Sequence, residues 1–178
     1  MGILVQEKPG DQLAGACNFV DRAVPDFCGR GDCLPCLTAT KPTEGRCWRE
    51  GTNYRIDCLL CKERDKTEAV YHGESGFSAY WRGRQHLEGF LRRTQGNPMQ
   101  DHKTKYHPKE ELKVSDFRMT IVANPRRPII RLSREGISIA HTQKALEEGR
   151  KVILMNDKTA FYQPGVVRMR VGGVFPTV

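Results

Sequence analysis

The stretch YHGES at residues 71–75, followed by Arg82 and His86, decides the interpretation of this chain. The apolar residues that lead into it predict a strand that ends at Gly73, and a helix is expected from about Ser78. Arg82 and His86 are four residues apart, so they lie on one face of that helix. A tyrosine hydroxyl, a guanidinium and an imidazole can together handle a phosphate group, because they offer a proton relay, a forked cation and a titratable base. On these residues alone, a basic amphipathic helix with solvated side chains is the competing interpretation.

Length and charge limit the classes of protein to which this chain can belong. The chain has 178 residues and a formal net charge of +8, enough length for one ordinary domain and a small appendage. Residues 1–50 carry six Lys or Arg against seven Asp or Glu, a net −1, so residues 51–178 hold the remaining 23 against 14, a net +9. A basic region of this size is typical of a protein that binds a polyanion, and nucleic acid is the leading candidate.

The sequence also bears on the cellular compartment. It contains no run of about 18 apolar residues, so neither a membrane-spanning helix nor a membrane partner is expected. Residues 1–10 lack the basic and apolar regions of a secretory signal. We therefore expect a soluble, intracellular protein whose cysteines bind metal rather than form disulfides.

Four of the seven cysteines form a first group, Cys28, Cys33, Cys36 and Cys47. Their segment is rich in Gly, Pro, Asp and Thr and cannot bury a core, so it needs a covalent or metal crosslink to be ordered. The CxxC spacing within it directs two thiolates at one ion, and the flanking cysteines can complete a tetrahedral four-thiolate zinc site. Free thiols are the alternative.

A second CxxC pair, Cys58 and Cys61, lacks nearby partners of its own type. The downstream imidazoles of His102 and His107 can complete a Cys2His2 zinc site that ties a hairpin to a later helix. The alternative is two reduced cysteines in a hairpin turn and two surface histidines. Cys17 is left over and is expected to be a free thiol.

The pattern along the chain predicts a small α/β domain around an antiparallel or mixed three-stranded sheet flanked by helices, with an N-terminal zinc-binding segment. Two strands are predicted on either side of a polar turn at 62–68, a third at 116–123, helices at 78–94, 99–106 and 128–142, and a short buried segment at 152–155. The domain organisation is an arm or linker at 1–27, a zinc knuckle at 28–50, the α/β domain at 51–165 and a basic tail at 166–178.

Apolar spacing also predicts which side chains the two longer helices bury. The expected core residues are Tyr80, Leu87 and Leu91 in the first of them, and Ile129, Leu132, Ile137 and Ile139 in the second.

Five short motifs occur along the chain, and their order is informative. They are NYRI at 53–56, VYHGES at 70–75, SAYWRGRQH at 78–86, RLSRE at 131–135 and LMN at 154–156. Through them residues 52–160 resemble the GIY-YIG nuclease superfamily. More narrowly, they resemble the version in Penelope-like and related eukaryotic retroelements, where cysteine motifs precede and interrupt the nuclease core. Two positions depart from the pattern, since Thr52 and Asn53 precede the first tyrosine without the usual glycine, and His72 replaces an aliphatic residue. We expect His72 on the strand face opposite Tyr71.

The resemblance implies a phosphodiesterase site. Its members would be Tyr54, Tyr71, Arg82, His86, Glu135 and Asn156. In this scheme Arg82 clamps the scissile phosphate, and Glu135 holds one Mg²⁺ or Mn²⁺ that acts as a Lewis acid. One of the tyrosines or His86 removes a proton from the attacking water, and Asn156 orients groups by hydrogen bonds.

Each assignment has its conditions and alternatives. For a phenol to serve as the base, its pKa of ~10 has to be depressed by Arg82 and the metal. The two tyrosines could instead pack across the strands, and Asn156 could be only a turn residue. Glu135 could be the partner of Arg131 in a surface ion pair.

Taken together, these patterns predict a metal-dependent DNA endonuclease that acts in the nucleus and nicks target DNA to prime reverse transcription. The alternative is a non-catalytic, zinc-dependent nucleic-acid-binding module on the same fold, and a third class is a structural or protein-interaction zinc module. RNA, or a reverse transcriptase domain of the same polyprotein, is a further expected partner. Sequence-independent phosphate contacts are expected from Arg84, Arg92, Arg93, Lys103, Lys105, Arg126, Arg127, Arg168 and Arg170.

Overall fold

The computed structural model describes residues 27–43 and 45–156. Its helices are α1 (Leu34–Leu37), α2 (Leu59–Asp65), α3 (Ala79–Leu91), α4 (Pro98–Tyr106) and α5 (Pro128–Glu147), and its strands are β1 (Thr52–Cys58), β2 (Glu68–Ser75), β3 (Phe117–Ala123) and β4 (Val152–Leu154). Two short 3₁₀ turns, Arg46–Trp48 and Val114–Asp116, complete the described elements. Cys17, the predicted arm up to residue 26 and the tail with Arg168 and Arg170 lie outside the described residues.

The sheet confirms the α/β class and corrects the strand number, since it has four strands in the order β3-β1-β2-β4. β1 is antiparallel to both of its neighbours, whereas β4 lies parallel to β2, with Val152 opposite Glu68. The segment at 152–155, which the sequence predicts only to be buried, contains the fourth strand. After α5 crosses the sheet, this segment returns in the direction of β2 and pairs with its open edge, as crossover connections allow.

Two local predictions for the hairpin are wrong. Residues 62–65 of the polar turn expected at 62–68 belong to helix α2, which begins after Cys58 and ends where Lys66 takes a left-handed conformation at φ 54°. Gly73 does not end β2, which continues to Ser75. A glycine in a strand interior often marks a close approach of another group rather than a turn, and this is the case here.

Alternation along the central strands separates two layers. One face of the sheet carries Tyr54 and Ile56 of β1 with Met119 and Phe117 of β3, all buried against α1, α3 and α4. The opposite face is more polar and is covered by α5. There Nε2 of His72 lies 2.9 Å from the Thr142 hydroxyl, so His72 faces away from Tyr71, as expected from the alternation.

The helices bury only part of the predicted apolar side chains. Tyr80 and Leu87 are buried in α3, but Leu91 is 65 % exposed because it lies about 100° around the helix from the buried Phe90. In α5, Ile139 is buried, whereas Ile129 and Ile137 are each 51 % exposed. Ile129 and Ile137 are eight residues apart and share the outer side of that helix, so the prediction that they form the core is wrong.

No helix within the two described stretches has the length and apolarity needed to cross a membrane.

Candidate phosphodiesterase site and metal clusters

Tyr54 lies at the centre of the candidate site. Its hydroxyl is 2.8 Å from Nε2 of His86, and Nε of Arg82 donates a hydrogen bond of 3.0 Å to the same oxygen. The ring of Tyr71 packs 6.1 Å from that of Tyr54 and 5.7 Å from the imidazole of His86. Helix α3 presents Arg82 and His86 on one face, as their spacing predicts, and β1 and β2 bring the two tyrosines beneath them.

Gly73 makes this arrangement possible. Tyr54 and Gly73 are direct partners across the β1–β2 pair, and the phenol ring lies over the glycine. A Cβ atom at position 73 would lie 2.3 Å from Cζ of Tyr54, closer than any unstrained contact. The glycine therefore leaves space for a tyrosine whose hydroxyl reaches α3.

Burial sets the protonation of the two central groups. It raises the pKa of Tyr54 far above its usual value, an effect that Tyr71 reinforces and Arg82 opposes. Burial and then the charge of Arg82 lower the pKa of His86 to about 3. The phenol is thus protonated and the imidazole neutral at pH 7, contrary to the depression of a tyrosine pKa that the base role required. Burial outweighs one neighbouring cation here.

Tyr71, Arg82, His86, Glu135 and Asn156 line a single cavity of about 610 Å³. They come from β2, α3 and α5 and from the residues after β4, and they are separated by up to 85 positions in sequence. Tyr54 lies behind this wall, 1 % exposed, and borders a second cavity that Glu135 also lines. The structure therefore brings all six predicted site residues to one region.

Asn156 has a specific position. Its side-chain oxygen accepts a 2.8 Å hydrogen bond from the backbone N–H of His72, and its side-chain amide donates one of 2.6 Å to the carbonyl of the same residue. The amide group thus continues the β2–β4 pairing by one residue. It fixes the backbone next to Tyr71 and orients the site through that strand.

Three residues at this site were missed in the sequence. Glu74 lines the cavity and accepts a 3.2 Å hydrogen bond from Nε of Arg131, which is buried and also donates to the carbonyls of Pro125 and Arg126. Gln85 accepts from Arg82 at 2.8 Å. The i, i+3 spacing of Arg82 and Gln85 was a local signal from which their contact could have been predicted. No local pattern pairs Glu74 with Arg131, because they are 57 positions apart.

Helix α5 is longer than predicted. It extends to Glu147 rather than to residue 142, and therefore contains a second acidic residue besides Glu135. Glu135 remains the carboxylate of α5 that lines the cavity.

The first cysteine group forms a metal-competent cluster, as predicted. Sγ of Cys36 lies 3.5 Å from that of Cys28 and 3.8 Å from that of Cys47, and Cys33 completes a set whose ligand atoms lie within 4.8 Å of one another. Tetrahedral zinc with bonds of about 2.3 Å separates its sulfurs by about 3.8 Å. The hydrogen bond between Cys33 and Cys47 lowers the pKa of Cys47 to about 5 and raises that of Cys33, so within this pair Cys47 is the thiolate and Cys33 keeps its proton until a metal displaces it.

The second cluster is also confirmed as a possible metal site. Sγ of Cys61 lies 3.4 Å from Nε2 of His102 and 3.2 Å from Nε2 of His107, and Cys58 lies 3.8 Å from the latter. All four side chains are buried. Burial, and then the neighbouring His107, lower the pKa of His102 to about 4, so its imidazole is in the neutral form that binds a metal.

A second layer of contacts orients this cluster. Nδ1 of His107 lies 3.4 Å from the carboxylate of Glu110, which pairs in turn with Arg64 at 2.6 Å. A carboxylate behind a ligating imidazole is the usual support of a zinc-bound histidine. Both donor sets therefore fit zinc.

The predicted phosphate-contact residues are distributed unevenly. Arg84 is 2.8 Å from Glu88 and 3.6 Å from Asp32, so carboxylates balance much of its charge. The remaining described members are exposed or half-buried just after α3, on α4 and just before α5, namely Arg92, Arg93, Lys103, Lys105, Arg126 and Arg127.

Comparisons with known proteins leave the family open. No protein-family model, no curated protein and no solved structure matches this chain.

Proposed function

We propose that the chain is a metal-dependent endonuclease that hydrolyses DNA phosphodiester bonds, as the resemblance to GIY-YIG nucleases implies. The observation that carries the proposal is the shared cavity of Tyr71, Arg82, His86, Glu135 and Asn156. A guanidinium, a neutral imidazole and a carboxylate in one open cavity can bind a phosphate, accept a proton and hold a cation.

Arg82 binds the scissile phosphate. Its guanidinium has five N–H donors, and the bonds to Tyr54 and Gln85 fix its plane at the cavity wall while leaving donors for phosphate oxygens. A cation held in advance stabilises the charge that develops on the phosphoryl group without reorganising during the reaction.

His86 is the base in this scheme, because it lines the cavity beside Arg82 and its imidazole is neutral. It takes a proton from the attacking water, and the Tyr54 hydroxyl, 2.8 Å from Nε2, holds the ring in place. Burial and then the positive field of Arg82 disfavour an imidazolium, and the bound phosphate anion offsets the second of these effects. Tyr71, half-buried at the cavity wall, orients the water.

Glu135 would hold one Mg²⁺ or Mn²⁺, which supplies a Lewis acid at the phosphate oxygens when bound. The donor chemistry fits such a cation, since a carboxylate oxygen is a hard ligand and the cavity has room for the waters that Mg²⁺ retains.

The deciding experiment is a nicking assay on supercoiled plasmid with Mg²⁺. We expect Arg82→Ala and Glu135→Ala, both folded, to lose at least about a hundredfold in rate, because each removes a charge that stabilises the transition state. Arg150→Ala and Glu147→Ala provide matched controls, since they remove exposed charges that line neither cavity of the site, and they should nick at the wild-type rate. Wild-type nicking by either site variant contradicts the assignment.

The second candidate function is non-catalytic, zinc-dependent nucleic-acid binding, and the buried, protonated Tyr54 favours it. It predicts salt-sensitive DNA binding with no nicking in either Mg²⁺ or Mn²⁺. A retroelement role, with nuclear nicking of target DNA beside a reverse transcriptase or RNA partner, extends the first proposal and rests on the resemblance alone.

A further inference from the structure

A surface of aromatic and arginine side chains lies beside the cavity. We call it the aromatic ridge, and it consists of Arg30, Trp48, Tyr80, Trp81 and Arg84. It joins the first cysteine cluster to helix α3, since Trp48 directly follows the ligand Cys47 and the other aromatic residues belong to the first turn of the helix.

The ridge is continuous through its contacts. The rings of Trp48 and Tyr80 lie 4.6 Å apart and those of Tyr80 and Trp81 lie 5.4 Å apart. The guanidinium of Arg30 lies 4.6 Å from the centre of the Trp48 ring, and that of Arg84 lies 5.7 Å from the Trp81 ring. Such stacked cations and rings make a rigid surface with little side-chain entropy left to lose on binding.

The two indoles are open to solvent. Trp81 is 51 % exposed and Trp48 is 42 % exposed, although both are among the largest apolar side chains of the protein. Trp81 immediately precedes Arg82 and lies one helical turn from Gln85, which lines the cavity. The ridge therefore borders the cavity along α3.

The chemistry of the ridge fits unstacked nucleobases. Exposed aromatic faces bind any base by stacking, and adjacent cations bind the phosphates between them. Arg30 is exposed and donates to the Tyr80 hydroxyl at 3.1 Å, so it can provide the phosphate contact, whereas Arg84 is paired with Glu88 and Asp32.

We propose that the aromatic ridge binds a single-stranded segment of DNA next to the bond that is cut. This inference rests on the proposed function for the identity of its substrate, and it makes that substrate DNA with unpaired nucleotides beside a duplex. The bases stack on Trp81 and Trp48, and Arg30 contacts their phosphates.

Binding can be measured apart from cleavage. Fluorescence anisotropy of a labelled oligothymidylate of about 20 nucleotides and of a blunt duplex of similar length is recorded with the full chain, its zinc retained and no Mg²⁺ or Mn²⁺ added. The sequence contains two tryptophans, and both belong to the ridge. Quenching of the intrinsic fluorescence by unlabelled oligothymidylate therefore reports contact with this surface.

Two substitutions separate stacking from simple apolar contact. Trp81→Leu removes the π face and should weaken oligothymidylate binding about tenfold, whereas Trp81→Phe keeps a ring and should stay within about threefold of wild type. Duplex affinity should not change in either variant. Leu91→Ser, at an exposed apolar position of the same helix, should leave both affinities unchanged.

Several results would overturn the inference: equal binding by Trp81→Leu and wild type, equal losses in the two tryptophan variants, no tryptophan quenching, or tighter binding of oligouridylate than of oligothymidylate. A wild-type chain that binds through Trp81 but never nicks plasmid would instead refute the proposed cleavage and leave the ridge assignment intact.

Discussion

At the scale of single residues, the candidate site depends on one close approach. The Tyr54 ring crosses Gly73 to reach His86 and Arg82, and any side chain at position 73 would occupy the space of the phenol. In the sequence this glycine resembles the end of a strand. A glycine that ends a strand and a glycine that leaves room for a neighbouring side chain produce the same local pattern.

We expect Gly73→Ala to lower the free energy of unfolding by about 1–3 kcal/mol and to displace Tyr54 from His86, because overpacked groups must shift. Urea denaturation measures the change. Gly136→Ala is the matched control, since an added Cβ there meets no heavy atom within 4 Å, and it should stabilise the α5 helix by about 0.5–1 kcal/mol. A Gly73→Ala protein as stable as wild type, with nicking retained, would contradict this account of Tyr54.

At the scale of elements, α5 packs on a polar sheet face, and His72 forms one of its contacts. The imidazole lies 2.9 Å from the Thr142 hydroxyl, and burial, followed by the charge of Arg55, lowers its pKa to about 4. A neutral, buried histidine at a helix–sheet contact makes the packing of α5 dependent on pH.

The direction of that dependence follows from the lowered pKa. In the unfolded chain, His72 is protonated below a pH of about 6.5, whereas in the folded protein it is protonated only below a pH of about 4. Between these two values the unfolded state binds the extra proton, so the free energy of unfolding falls as the pH falls. One such proton corresponds to about 1.4 kcal/mol per pH unit. The free energy of unfolding is measured in urea at several pH values between 6.5 and 5. Its slope against pH should be shallower by this amount in His72→Gln than in the wild type. His141→Gln, at an exposed position of α5, should keep the wild-type slope; equal slopes in all three proteins would refute the prediction.

At the scale of the whole molecule, the two metal clusters reinforce contacts that the apolar core also makes between distant parts of the chain. The first crosslinks residues 28–43 and 45–47, which pack against α3, and the second links β1 and α2 to α4 across sequence separations of 41 to 49 residues. Closing such long loops with a metal constrains the unfolded chain and adds binding free energy to folding.

Elemental analysis of the purified chain should therefore find about two zinc ions per molecule. Cys33→Ser and Cys61→Ser should each lose about one ion and lower the midpoint of thermal unfolding, because each leaves three ligands for a tetrahedral ion. Cys17→Ser is expected to keep both ions, since each cluster has four ligands without it. One ion in the wild type, retained in Cys61→Ser, would refute the second site.

Much of the site was predictable because its signals are local or depend on residue type. The CxxC pairs, the Arg82–His86 spacing and the alternation that separates His72 from Tyr71 follow from turn, helix and strand geometry. The fourth strand and helix α2 could not be predicted from the sequence. A three-residue apolar segment forms a strand only if a sheet edge is open to pair with it, and a short polar helix has too few buried positions to show the helical period of apolar residues.

The sequence by itself determined the element types of the long segments, the two metal-ligand sets and the basic character of the chain, because spacing, thiol chemistry and charge do not depend on distant contacts. Only the tertiary structure decided that Tyr54 is protonated and His86 neutral, that Asn156 completes the edge of β2, and that Trp48 and Trp81 share one exposed ridge. Those properties arise from burial and from contacts between segments far apart in the chain, and no local pattern encodes either.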